Sequence, residues 1–168
     1  MGDHAHEADA PDTTGPDDRV TPRGAWTRAE METFLADAVV PIRLGCATPA
    51  GGLWMLSLWY RYRDDAFYCA TAASADIVSY LDADDRVSFE VSVNEPPYRG
   101  VRGYGHATIE PDPEKELLRA LLQRYLGGTD SSLADRLLDE SREEVTIRID
   151  PKKLYCWDYT GRMRDAAE

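Results

Sequence analysis

Lysine is almost missing from this chain: Lys115, Lys152 and Lys153 are the only three in 168 residues, and the rest of the 19 basic side chains are arginine. Set against 31 aspartates and glutamates, they leave a formal net charge of −12. That shortage argues against an electrostatic grip on nucleic acid, which draws its free energy from Lys and Arg displacing counterions from phosphates. No apolar run reaches the roughly 18 to 20 residues that a membrane-crossing helix needs, so neither nucleic acid nor membrane is an expected partner. Met1 to Arg23 lacks the apolar stretch and cleavage-like pattern of a secretion signal, being acidic and rich in Pro, Gly and Thr. The expected location is the cytoplasm. Cysteine is scarce too. Cys46, Cys69 and Cys156 stand far apart with no C-x-x-C spacing, which argues against a disulfide frame or a zinc site and predicts reduced, mostly buried thiols. Also missing are a nucleophile elbow, a phosphate-cradling glycine loop and an H-E-x-x-H pair.

What is present is enough for one domain. A hydrophobic share of 43% over 168 residues supports a single buried core and is too little for two ordinary domains. Residues 1–23 read as a disordered acidic tail, because DHAHEADAPDTTGPDD cannot bury enough apolar surface to offset chain entropy. His4 and His6 belong to that tail and read as part of it rather than as metal ligands. The domain is expected over 24–160, with a short tail at 161–168. Asp and Glu fill nearly every predicted loop. One reading is adaptation to high salt, where a dense carboxylate surface keeps the protein dispersed; its rival is an ordinary acidic protein.

Thr27 followed by Glu30 offers a capping box for a helix running through Met31, Phe34 and Leu35. Strand patterns come next, at VPIRLGCAT (40–48), at LWMLSLWYRY (53–62) as one long strand after a PAGG turn, and at AFYCAT (66–71) after Arg63-Asp64-Asp65. Ser74 is predicted to cap a short helix that places Ile77, Val78 and Leu81 on one face. RVSFEVSV (86–93) and GVRGYGHATIE (100–110) resume the strands. Leu117, Leu118, Leu121, Leu122 and Leu126 then form a helical stripe, and SSLADRLLDES continues after a Gly-Gly break. EEVTIRIDP and KKLYCWDYT close the chain as two β segments punctuated by Pro151. With no repeated βαβ unit, the expected class is mainly β with peripheral helices, an antiparallel barrel.

Taken in order, PIRLGCAT, AGG with LWMLSLWYRYRDDAFYCAT, the helix from Ser74, DDRVSFEV and YRGVRGYGHATIEPD resemble the pyridoxamine 5′-phosphate oxidase-like superfamily, the FMN-binding split barrels. The resemblance covers roughly residues 38–112, with a looser match at KLYCWDY. It implies a homodimeric split β-barrel with FMN at the subunit interface. Carried over by residue, the flavin ring runs along Leu56, Ser57, Leu58 and Trp59 and along Cys69, Ala70, Thr71 and Ala72. Ser74 lies near the phosphate, Arg99 and Arg102 approach the cleft beside Tyr98, and Trp157 comes from the last strand. The implied function is flavin-dependent oxidation or reduction of a small molecule. The alternative is a noncatalytic dimeric binder of flavin, deazaflavin or haem, and His106 is the one histidine within the expected ordered region. Read by itself, His106 lies on a predicted strand between Gly105 and Ala107 and reads as structural.

The chain also departs from that family's pattern. Oxidases of the family hold the FMN phosphate with basic residues on the second strand and just after the helix-capping serine. The corresponding positions here are Leu53, Leu58, Ala75 and Asp76, none of them basic. Arg61, Arg99 and Arg102 are the cations left to replace them. Arg99 and Arg102 are an odd number of residues apart and are expected to face opposite sides of a regular strand. The Arg and His that grip pyridoxamine phosphate near the family's C-terminus are missing, so vitamin B6 oxidation is not expected.

Overall fold

The computed structural model describes residues 19–164. Most of the expected N-terminal tail, His4 and His6 included, and the last four residues lie outside that range. Thr27 opens helix α1 (Arg28–Asp37) as its spacing predicts: its hydroxyl accepts the Glu30 N–H, and the Glu30 carboxylate accepts the Thr27 N–H at 2.7 Å. Met31 and Leu35 on that helix are fully buried. At the other end, the Arg124 guanidinium donates to the carbonyls of Leu35, Ala36 and Ala38. It satisfies the orphan acceptors of the last turn and sets a positive charge where the helix dipole favours one.

Eight strands follow the chain as β1 (Arg23–Gly24), β2 (Ile42–Ala47), β3 (Leu53–Leu58), β4 (Tyr60–Arg63), β5 (Ala66–Ala72), β6 (Arg86–Ser92), β7 (Arg99–Pro111) and β8 (Glu144–Asp158). Helix α2 (Asp76–Ala83) lies between β5 and β6, and α3 (Glu116–Leu126) and α4 (Ser132–Leu137) between β7 and β8. The strands form one antiparallel sheet in the order β3-β2-β6-β7-β8-β5-β4, with the two-residue β1 parallel to β8. The sheet curls into a split barrel around Ile42, Leu44, Phe67, Phe89, Ile147 and Ile149. This is the mainly β class with peripheral helices that the sequence predicts. Leu117, Leu118, Leu121 and Leu122 of α3 pack on the outside, against Ala66, Tyr68, Trp59 and Ala70.

Three local expectations are corrected. LWMLSLWYRY is two strands rather than one, because after Leu58, opposite Ile42, the chain leaves β2 and Tyr60 pairs with Cys69 of β5. Trp59 at the crossing stacks on Tyr125, with ring centroids 5.1 Å apart and planes at 10°. The Tyr125 hydroxyl accepts the Tyr60 N–H at 3.2 Å and donates to the Val40 carbonyl at 2.9 Å. A phenol from α3 thus satisfies backbone groups that the sheet releases at its corner.

The second correction is at Pro151, which lies buried within the single strand β8 instead of separating two segments. Pairing with β5 has ended at Ile149, opposite Phe67, and the register with β7 slips so that Gly105 faces Pro151 while Tyr104 faces Lys153. The missing proline N–H falls where the ladder is already interrupted by a bulge. Gly105 makes the bulge possible, since a Cβ there would stand 2.2 Å from the Asp150 carbonyl oxygen. Third, α2 begins at Asp76 with Ala75 as its N-cap and no side-chain capping bond. Ser74, the expected cap, is exposed one position too early.

Candidate functional site

Among the described residues, no helix packs on the outer face of β3-β2-β6-β7-β8. Register fixes which side chains stand on it: Met55, Gly45, Ser88, Tyr104 and Lys153 form one row across the five strands, and Ser57, Arg43, Glu90, Arg102 and Tyr155 form the next. Strand order and pleat alone decide this, since partners across a ladder point to the same side. Large apolar side chains are left in solvent there: Leu53 is 92% exposed, Met55 70%, Tyr104 50% and Tyr155 41%. An isolated exposed leucine means little, whereas a contiguous patch of this kind marks a binding surface.

Two neighbouring clefts of about 590 and 570 Å³ lie on this face, sharing Gly45, Met55, Ser88 and Tyr104. Gly45 and Ser88 form a low floor between Met55 and Tyr104. Three inter-strand spacings separate those walls, or about 14 Å. β3 ends the strand path, so one edge of its backbone has no strand partner among the described residues.

The charges on the face are unequal. Arg43 lies 4.0 Å from Glu90 and donates to Ser92 and Asn94. Arg86 forks onto Asp84, with Nε 2.9 Å and Nη2 2.6 Å from its oxygens, and those hydrogen bonds hold the Asp84 carboxyl down at about 2. Arg102 and Lys153 have no acidic partner among the described residues. The Arg102 guanidinium stands 5.2 Å over the Tyr155 ring and the Lys153 ammonium 6.0 Å over Tyr104. A protein of net charge −12 thus keeps two cations without an acidic partner beside these exposed apolar side chains. His106, 47% exposed at the rim of the second cleft, places Nδ1 3.0 Å from an Asp85 carboxylate oxygen. Its ring is therefore held by a carboxylate at the surface of the sheet.

The residues singled out from the sequence divide. Ser57 and Arg102 stand on the open face, and Trp157, opposite Gly100, shares its side of the sheet. The indole N–H of Trp157 is buried with no hydrogen-bond partner. Arg99 points to the other side from Arg102, as the odd spacing predicts. Leu56 and Leu58 pair with Leu44 and Ile42 and lean on the core. Cys69 has no exposed surface, and Trp59 and Ala70 are packed under α3 and α4. Thr71 and Ala72 are half-buried at the end of β5, where Ser74 follows. The open face and these β5 positions therefore lie on different surfaces of the subunit. Met55, Tyr104, Tyr155 and Lys153 were not foreseen as site residues; outward positions of β6 and β7, read at period two, are the signal that finds the strands but not their partners.

No group of three His, Cys, Asp or Glu side chains gathers to hold a metal among the described residues. No helix among them is long and apolar enough to cross a membrane.

A family model described as pyridoxamine 5′-phosphate oxidase matches residues 27–158. Among solved structures, the chain resembles a conserved hypothetical protein, Rv2991, from Mycobacterium tuberculosis, at 24% identity and a TM-score of 0.65, covering 88% of this chain and 91% of that one. It resembles an F420 reductase at 21% identity and a TM-score of 0.60, over 71% and 92% of the two chains. HutZ, the heme storage protein from Vibrio cholerae, matches at 13% identity and a TM-score of 0.56, over 76% and 92%. Identities this low establish the shared fold. No curated protein matches the chain.

Proposed function

Because the chain belongs to the pyridoxamine 5′-phosphate oxidase family, we propose that it is a homodimer that binds a flavin-type cofactor against the open face of its sheet and uses it to oxidise or reduce a small molecule. The observation that carries this reading is the apolar face with its two joined clefts. A second copy laid over Leu53, Met55, Tyr104 and Tyr155 removes those side chains from water and closes the clefts from above.

The residues present fit a planar ring. Gly45 and Ser88 give it a low floor, Met55 and Tyr104 give it walls, and the free backbone edge of β3 offers hydrogen bonds to its polar rim. Arg102 and Lys153 are the groups that hold an anionic tail. When bound, a flavin or deazaflavin supplies hydride transfer. The chain itself orients the ring, supplies positive charge at one end and, once the partner covers the face, excludes water. The stretch from Trp59 to Ala72 contributes chiefly packing in this arrangement.

The experiment is a visible absorbance spectrum of purified protein with mass spectrometry of whatever co-purifies, followed by titration with flavins. A bound tricyclic compound and a dimer by light scattering support the proposal. A colourless monomer that binds no flavin overturns it. For Tyr104→Ala, which removes one wall without touching the core, the expected outcome is at least a tenfold loss of cofactor affinity.

A second reading is a noncatalytic haem binder. The observation in its favour is His106, held at Nδ1 by Asp85 so that Nε2 is left to face a ligand at the cleft rim. A Soret shift with haemin that disappears in His106→Ala supports it, and an unchanged shift removes it.

A further inference from the structure

Burying a charged side chain costs free energy unless an opposite charge or a set of hydrogen bonds replaces the water it loses, so such groups are few and normally paired. Among the described residues only two charged side chains are buried, Lys115 and Glu144, and they have opposite signs. Both line one cleft of about 700 Å³, where the ends of β5 and β7, the start of α3 and the turn leading into β8 come together. They are not paired with each other. The Lys115 ammonium donates to the Asp139 carbonyl, a neutral acceptor, and forms no ion pair among the described residues. That bond uses one of the three N–H donors an ammonium carries. Arg142 Nε donates to Glu144 Oε2 at 2.9 Å, while Glu144 Oε1 is buried with no hydrogen-bond partner. Lys115 also has a φ of 54°, in the left-handed region where glycine is the ordinary occupant. The backbone gives no reason for a lysine at that position, so the reason lies in the side chain.

The two groups ask for opposite partners. A buried ammonium without a counter-charge is answered by a carboxylate, and an orphaned carboxylate oxygen by an N–H donor, best a charged one. One small molecule supplies both when it carries an ammonium and a carboxylate at once. Arg119, one helical turn beyond Lys115, is exposed at the cleft with no acidic partner among the described residues. Glu114, Glu140 and Glu143 are exposed around it, likewise without an ion-pair partner there, and favour a further positive charge on the ligand. The cleft shares no lining residue with the two on the open face.

We propose that this cleft is a second ligand site, separate from the flavin face, and that it takes an amino acid with a basic side chain. The α-carboxylate sits on Lys115 and Arg119, the α-ammonium on Glu144, and the side-chain charge among the three exposed glutamates. The site stands whether or not the flavin reading does.

Three probes of one skeleton test it by titration calorimetry on the full chain. L-Lysine carries all three groups, cadaverine is the same molecule without the carboxylate, and 6-aminohexanoate is the same molecule without the α-ammonium. At about 0.15 M salt the screening length is about 8 Å, which damps the diffuse pull of a protein of net charge −12 on any cation. L-Lysine binds at least about tenfold tighter than either truncated probe. Lys115→Met keeps an apolar stem and removes the charge, bringing L-lysine and cadaverine to within about threefold of each other, and Glu144→Gln does the same for L-lysine and 6-aminohexanoate. Arg119→Ala, at an exposed helix position that leaves the circular dichroism native, weakens L-lysine about fivefold with cadaverine unchanged, and it decides the matter if either buried variant fails to fold. L-Lysine that does not bind at about 10 mM, or that binds no tighter than the truncated probes, overturns the proposal. So does a native preference that survives intact in Arg119→Ala, since the amino acid is then held elsewhere on the surface.

Discussion

Tyr125 illustrates how much one side chain does in this molecule. Its ring stacks on Trp59, and its hydroxyl serves the Tyr60 N–H and the Val40 carbonyl at the point where β3 gives way to β4. Tyr125→Phe keeps the stacking and removes only the hydroxyl, leaving two partly buried backbone groups short of a partner. The expected loss is about 1 to 3 kcal/mol in urea unfolding. The cysteines make a second residue-scale case. All three are unpaired and buried, and burial pushes the thiol of Cys69 up to about 12 and that of Cys156 up to about 11. A thiol whose native value is raised stabilises the fold fully below its unfolded value near 9, and that contribution is lost as pH climbs through the native value. The melting temperature is therefore expected to fall steadily from pH 9 to pH 11, and to fall less in Cys69→Ala. A thiol reagent at pH 8 should label none of the three in the native protein within minutes and all three in guanidinium.

At the level of elements, glycines fix where strands come closest. A Cβ on Gly103 would lie 2.0 Å from the Lys153 carbonyl oxygen and 2.9 Å from Phe89 Cζ, and one on Gly105 would meet the Asp150 carbonyl. Gly103→Ala and Gly105→Ala are each expected to destabilise the protein by about 3 kcal/mol, read as a lower denaturation midpoint. Such positions also show what a sequence discloses. The Thr27–Glu30 box, the alternation in PIRLGC and RVSFEV and the leucine stripe of α3 are local patterns, and each appears as an element close to its expected bounds. The corner at Trp59 and the passage of β8 through Pro151 are set by partners far along the chain, Tyr125 in one case and Gly105 in the other, and no local period announces them. The candidate site has the same character. Arg102 and Ser57 can be placed on a strand from the sequence, but Met55, Tyr104 and Tyr155 become one surface only when β3, β2, β6, β7 and β8 are in register. Equally, a leucine stripe predicts α3 without predicting that it lands on Trp59 and Ala70.

For the whole molecule, charge is the dominant variable. With a net charge of −12, the self-repulsion of the chain weakens as salt is added. If the excess is an adaptation to salt, the melting temperature rises between 0.1 and 2 M KCl; a fall over that range refutes the adaptation. The same series, followed by light scattering, tests the proposed pairing through the open face: if the protein pairs there, Met55→Lys shifts it toward monomer while leaving the far-ultraviolet circular dichroism unchanged. One feature of the architecture governs how such a molecule can be made. β8 is the last strand of the sheet in chain order, yet it is the one that β7, β5 and β1 all require as a neighbour. On the ribosome, the β3-β2-β6-β7 ladder and the β4-β5 hairpin emerge as two separate pieces with nothing to join them until residue 158 clears the exit tunnel. The barrel can therefore be completed only after nearly all of this segment has been translated, and a nascent chain stalled at residue 143 should be digested by protease throughout its length.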